Sequence, residues 1–355
     1  MKILITGASG FLGQYVVCEA LRRGHQVRAI VRPTVSEKQL PWHSHPSVDL
    51  VRLDLRQRNG LNESLQGIDA VIHLAAAKAG DFYSQFSGTV IATENLLDAM
   101  VQAGVQRLVA ISTFSVYDYL NLGVGKLLDE NSPLEKNPLQ RDGYAQTKLI
   151  QEQLFRTFEQ DHGGKVTVIR PGIIYGREDL WHALVGIELS DTLWLCIAPN
   201  AHMPLAYVEN CADAIVTALI CENSIGKTIN IVDDDLPSRR TYIKELCKKS
   251  PTKSPRFISI NWVIMDLIAR ATQLANQILF ENRAKLPGLL APAKLHARFK
   301  PLRYSNNQAK QLLEWMPRYS LETALDRCCS SADLLDVSHH HNLDNPVLST
   351  LSSRN

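Results

Sequence analysis

"TGASGFLG", residues 6–13, is the stretch whose reading decides the fold. It stands between "KILI", which is short and apolar, and "QYVVCEALRRG", whose apolar residues recur at three- and four-residue intervals up to Gly24. The first run reads as a buried parallel strand, the second as a helix closed by a glycine C-cap. A tight strand-to-helix turn needs glycine for positive φ, and a phosphate approaches a backbone closely only where no Cβ intervenes. The helix N-terminus then offers free N–H groups and the positive end of its dipole. A further strand-like run, "HQVRAIVR", completes a βαβ unit. The expectation is a dinucleotide site built on Gly7, Ser9, Gly10, Phe11, Leu12 and Gly13. Strand-like and helix-like runs alternate to about residue 175, so the fold class is α/β, a doubly wound parallel sheet covered on both faces.

Spacing of the GxxGxxG kind resembles the extended short-chain dehydrogenase/reductase family, and other segments extend the likeness. "HLAAA" (73–77) after "DAVI" is similar to that family's fourth-strand signature, and "ISTFSVY" (111–117) to its serine/threonine strand. "YAQTK" (144–148) matches YxxxK, and "IRPGIIYG" (169–176) resembles RPxxxYG. With "YVENCADAI" (207–215) and residues 303–325, the likeness covers about residues 1–328 and looks nearest to the 3β-hydroxysteroid dehydrogenase-like branch. It implies a Rossmann-type domain over 1–178, to which 206–232 return, with a smaller substrate-binding lobe from 179–205 and 233–330. Residues 331–355, rich in Ser, Asn and His, read as a disordered tail. Its His339, His340 and His341 are an ordinary polar tail rather than a metal site, and no metal is expected.

Tyr144 and Lys148 lie one helical turn apart and share a face. A tyrosine hydroxyl, pKa near 10 when free, is a poor base at neutral pH unless a fixed cation favours the phenolate. Lys148 supplies that charge and can hold the nicotinamide ribose. The resemblance puts Thr113 where the family's catalytic serine or threonine stands, with Ser112 and Ser115 as alternatives. It also implies Asp54 and Leu55 beside the adenine, Leu74, Ala75 and Ala76 along the cofactor path, and Pro171 to Ile173 near the nicotinamide. At the end of the second strand, where an acid would select NAD, the chain has Arg32, with Arg28 nearby, so NADP is expected and NAD is the alternative. One departure is Thr89, where the family often has asparagine; Ala92 replaces a glycine. The relay that such an asparagine supports is thereby in doubt.

The residues after Thr113 are Phe114 and Ser115, not acids, which argues against dehydration. Met203 and His202 stand where nucleotide-sugar enzymes carry an arginine to grip a pyrophosphate, although Arg239 or Arg240 is left to serve. The reading is an NADP-dependent alcohol dehydrogenase or ketoreductase acting on a small molecule. The alternatives are a nucleotide-sugar epimerase and a non-catalytic dinucleotide sensor. Net charge of +2 over 355 residues gives no case for nucleic acid. Seven cysteines without metal-type spacing, and a first strand at Lys2 that leaves no room for a signal peptide, suggest a cytoplasmic chain with reduced thiols. The resemblance implies a homodimer. "NWVIMDLIARATQLANQILF" (261–280) reads as a core or lobe helix with Ile264, Leu267, Ile268, Ala271, Ala275 and Ile278 on one face. The functional alternative is an interfacial helix touching a membrane surface, helped by Arg283, Lys285, Lys294, Arg298 and Lys300.

Overall fold

A computed structural model describes residues 1–181, 184–249, 255–281, 283, 284, 286–330, 332, 334 and 335. Seven parallel strands form the central sheet: β1 (Lys2–Thr6), β2 (Gln26–Val31), β3 (Val48–Arg52), β4 (Ala70–His73), β5 (Arg107–Ile111), β6 (Lys165–Pro171) and β7 (Lys227–Ile231). Their spatial order is β7-β6-β5-β4-β1-β2-β3, so the direction of winding reverses between β1 and β4. All seven run in parallel, and the segments after them gather at one edge. That edge is where an open parallel sheet binds its ligands.

The strands are apolar on both faces because helices cover both. Ile3 and Ile5 point into one buried cluster with α1 (Phe11–Arg22) and with Val208–Ile220. Leu4, between them, points into the other, with Ala92–Ala103 and with Phe155 and Phe158 of α2 (Gly143–His162). The period of two thus places successive residues of one strand in different cores.

The smaller lobe carries a three-stranded sheet of Ile187–Ser190, Leu193–Ile197 and Arg256–Ile260, with the helices α3 (Trp262–Phe280) and α4 (Pro292–Phe299), while the helix Arg239–Lys249 buries Tyr242 and Leu246 in the main core. Three departures from the sequence reading stand out. The helices Asn307–Leu313 and Leu321–Cys329 bury Ala309, Leu313, Ala324 and Leu325 in the main core, not in a separate lobe core. In the tail, Leu334 is buried against that same core, while His339, His340 and His341 lie outside the described residues. Finally, α3 packs by the face opposite to the one expected. Trp262, Met265, Ala269 and Asn276 are buried, and Ile264, Leu267, Ile268 and Ile278 are exposed. No helix among the described residues is long and apolar enough to cross a membrane.

Candidate active site

The glycine turn is a steric construction. Gly7 has φ of +69°, and a Cβ there would stand 2.8 Å from the Ala75 amide nitrogen. At Gly13 a Cβ would fall 2.0 Å from the Gly7 carbonyl oxygen. These two glycines let β1, α1 and the segment after β4 close on one another. Gly10 differs: it is exposed, and its Cβ would meet only the Gly7 oxygen, at 3.2 Å. The helix α1 begins there without a side-chain cap, so its first-turn amides are donors in search of an acceptor. Ser9, Phe11 and Leu12 are half-buried around that space. A cradle that a Cβ would fill, in front of uncapped amides, fits the pyrophosphate of a dinucleotide.

The other expected cofactor residues share the same edge of the sheet. Arg32 is exposed just past β2. Arg28 is turned to other work, with Nε on Asp49 at 2.7 Å and Nη1 on the carbonyls of Ser64 and Gln66. Asp54 follows β3; the Arg56 guanidinium hydrogen-bonded to it holds its carboxyl below the usual range, with the Arg32 charge adding to the effect. Leu55 is buried, and its carbonyl accepts from Asn95 Nδ2 at 3.0 Å. Leu74, Ala75 and Ala76 are half-buried after β4. Pro171 and Ile173 are buried at the end of β6, where a Cβ on Gly172 would fall 2.2 Å from the Pro204 oxygen.

Tyr144 and Lys148 project from the first turns of α2, which Asp142 caps by accepting from the Ala145 amide at 2.9 Å. Burial pushes the Tyr144 hydroxyl up to about 12; a hydrogen bond with Thr113 pulls the other way and the Asp142 charge raises it further. Thr113 Oγ1 also donates to Ser115 Oγ at 3.3 Å. Ser112 donates to Glu152 Oε1 at 2.5 Å, and Ser115 sits beside Thr113, whose Oγ1 accepts from the Ser115 amide at 3.2 Å. Thr113 is the one brought to Tyr144.

Lys148 is buried, and burial lowers its ammonium to about 7 against the opposing pull of Glu152. Nζ donates to the Ile111 carbonyl and to Gln151 Oε1, both at 2.7 Å. Those two acceptors use two of its three N–H groups. Gln151 passes the connection on: Nε2 donates to Thr93 Oγ1 at 2.7 Å, and Thr93 donates to the Thr89 carbonyl at 2.6 Å. The Thr93 oxygen thus accepts from His73 Nε2 at 2.9 Å, leaving His73 Nδ1 to accept from Thr6 at 2.7 Å. Burial holds this imidazole down at about 3, so it is neutral. Thr89, the departure noted above, takes the Ala77 amide on Oγ1 at 3.0 Å.

Beside this network, Arg170 holds Glu152 with two bonds, Nε to Oε1 at 2.8 Å and Nη2 to Oε2 at 2.6 Å, and donates to the Tyr117 hydroxyl. Sequence reasoning missed Gln151, Glu152, Arg170 and His73 as parts of the site. The signal for two of them was present, since Gln151 and Glu152 follow Lys148 by three and four residues on the same helix face. Arg239, left above as a substitute for the missing pyrophosphate arginine, is not available. It is buried with its guanidinium on the carbonyls of Leu184, Ala198 and Arg298, at 2.9, 3.2 and 3.0 Å, and over the Phe299 ring. Among the described residues no cluster of His, Cys, Asp or Glu could hold a metal ion.

A fold of this winding with a glycine cradle and a half-buried Tyr144 one turn from buried Lys148 defines a class, and comparison with known proteins agrees. The chain belongs to the NAD dependent epimerase/dehydratase family, whose model matches residues 3–231. It is an enzyme of the extended short-chain dehydrogenase/reductase type. Over 347 residues it is 32% identical to a 3 beta-hydroxysteroid dehydrogenase/Delta 5-->4-isomerase of Mycobacterium tuberculosis, covering 92% of this chain and 89% of that protein. It is 35% identical over 182 residues to the 2-alkyl-3-oxoalkanoate reductase of Stenotrophomonas maltophilia. That match covers 50% of this chain and 52% of the relative. The fold matches the UDP-glucuronic acid 4-epimerase of Bacillus cereus in complex with NAD at a TM-score of 0.69 and 22% identity, over 96% of this chain and 99% of that one.

Proposed function

We propose that this enzyme is an NADP-dependent alcohol dehydrogenase or ketoreductase, interconverting a secondary alcohol and a ketone on a small molecule. The reading is supported by Thr113 acting on the Tyr144 hydroxyl, with Lys148 one helical turn further along the same helix face. Relatives named as a hydroxysteroid dehydrogenase and an oxoalkanoate reductase support hydroxyl–carbonyl chemistry. The engagement of Arg239 in the fold removes one of the two arginines left to grip a nucleotide-sugar pyrophosphate, and exposed Arg240 is the other. Exposed Arg32, with no acid in its place, favours NADP over the NAD named for the structural neighbour.

When bound, the cofactor supplies or accepts the hydride, and Gly7, Gly10, Gly13, Arg32 and Lys148 are the residues that would hold it. Thr113 positions the substrate oxygen by hydrogen bonding. In the reductive direction Tyr144 donates its hydroxyl proton to that oxygen; in the oxidative direction its phenolate takes the proton back. A tyrosine near 12 is scarcely ionised at neutral pH, so a nearby cation must favour the phenolate. Lys148 has that role, and its third N–H would be left to hold the cofactor's ribose.

Tyr144→Phe keeps the ring but removes the exchangeable proton. Turnover of a ketone or alcohol panel should fall ~10²–10⁴-fold while the fold and cofactor binding persist. Lys148→Met should shift the oxidative pH–rate profile to higher pH and weaken cofactor binding. The same titrations with NADP and NAD, on wild type and Arg32→Asp, read the cofactor preference. Near wild-type turnover by Tyr144→Phe would remove the catalytic assignment.

A further inference from the structure

The unused feature of the molecule is the outer face of α3. Of the nineteen large apolar side chains that are exposed among the described residues, eight fall on this one helix. Val263, Ile264, Leu267, Leu274, Ile278 and Leu279 are each more than half exposed. The helix sits on the lobe through Trp262, Met265 and Ala269, and Asp266, Arg270, Gln273 and Gln277 form a polar margin between the buried and the exposed apolar faces.

We propose that α3 lies in the plane of an anionic lipid surface and docks this enzyme onto it. Two observations favour lipid over a second copy of the chain. First, residues 261–300 hold six Lys and Arg against two Asp and Glu, whereas the whole chain has 38 against 36, so basic charge collects beside the apolar face. Lys300 is buried on the carbonyls of Tyr119 and Leu120 and is not part of that charge, and Asp266 and Glu281 each pair with an arginine. Lys294 and Arg298, one turn apart on α4, which packs against α3, supply surplus charge on the neighbouring helix. Second, a broad apolar face with a polar margin and basic neighbours, on a helix not apolar enough to cross a bilayer, is the pattern of interfacial helices.

The test is co-sedimentation of the full chain with vesicles of phosphatidylcholine alone and of phosphatidylcholine with phosphatidylglycerol, at low and high salt. Binding to the anionic vesicles should be at least ~10-fold stronger than to the neutral ones and should weaken with salt. Leu267→Asp with Ile278→Asp should reduce it at least ~10-fold without lowering the thermal midpoint, because both side chains are exposed. Lys294→Glu with Arg298→Glu should remove the anionic preference. Failure to bind either vesicle, or undiminished binding by the aspartate pair, overturns the proposal. So does a wild-type dimer in light scattering that the aspartate pair turns into monomers, which would make the face a subunit contact.

Discussion

Helices α2 and α3 are nearly the same length, 20 and 19 residues, and their use of polarity is reversed. The first buries Thr147, Lys148, Gln151 and Glu152 and holds them in hydrogen bonds. The second exposes isoleucines and leucines and buries the small Ala269 and the polar Asn276, whose Oδ1 and Nδ2 bond the Ala284 backbone. A polar group in the interior costs stability unless it is paired, so a helix that buries four of them is built for chemistry. An apolar face left in water carries no such internal reward and points to something outside the chain. Both helices break the rule that apolar residues go inside, and the direction of the break tells which kind of function each serves.

The largest stability effect that would sharpen the contrast is expected at Glu152. Its carboxylate takes two bonds from buried Arg170 and one from Ser112. Glu152→Gln leaves the guanidinium buried without a counter-charge, which costs ~3–5 kcal/mol in comparable buried pairs. Urea denaturation reads it directly. A loss under ~1 kcal/mol would mean that the polar interior of α2 is dispensable to the fold.

His73 gives the same interior a pH signature. Its folded pKa is about 3 and its unfolded value near 6.5, so the unfolded chain gains a proton first as pH falls. Stability is therefore full above ~6.5 and declines as pH drops toward 3, by up to ~1.4 kcal/mol per unit. Asp233, raised by burial to about 7, acts with the opposite sign: its folded carboxyl protonates first, so its contribution grows as pH falls from 7 toward 3.8. The two are separated by comparing wild type with His73→Gln between pH 6.5 and 4. The variant should show the flatter acid decline, and equal slopes would deny His73 a buried neutral state.

The glycine cradle, the parallel sheet and the Tyr144–Lys148 pair were legible because each depends on neighbours within a few residues. A turn must have glycine at Gly7 and Gly13 wherever the rest of the chain goes, and spacing of four puts two side chains on one helix face. What was not legible depends on partners far away in sequence. Arg239 looked like a free cation until three carbonyls from residues 184, 198 and 298 closed around it. Gln151 and Glu152 stood at readable positions, but His73 and Arg170, which give them meaning, come from other strands. For α3 the periodicity correctly yields an apolar stripe; which side of the helix meets the lobe is set by Trp262 and Met265, and the stripe alone does not contain that information.

The smallest expected effect tests α3 most cleanly. Leu267 and Met265 are both large and apolar, two residues apart, and on different sides of the helix. Met265 is buried with Trp262, Ala269 and Leu295, so Met265→Ala leaves a cavity and should cost ~2–5 kcal/mol. Leu267 is 67% exposed, and Leu267→Ser should change stability by less than ~0.5 kcal/mol despite removing most of an apolar side chain. An apolar-inward helix of the kind expected from sequence would give the reverse order. Denaturant midpoints of the two variants decide between them: a larger loss at Leu267 than at Met265 would mean that α3 is turned about its axis in solution, with its apolar stripe against the lobe and no surface left for lipid.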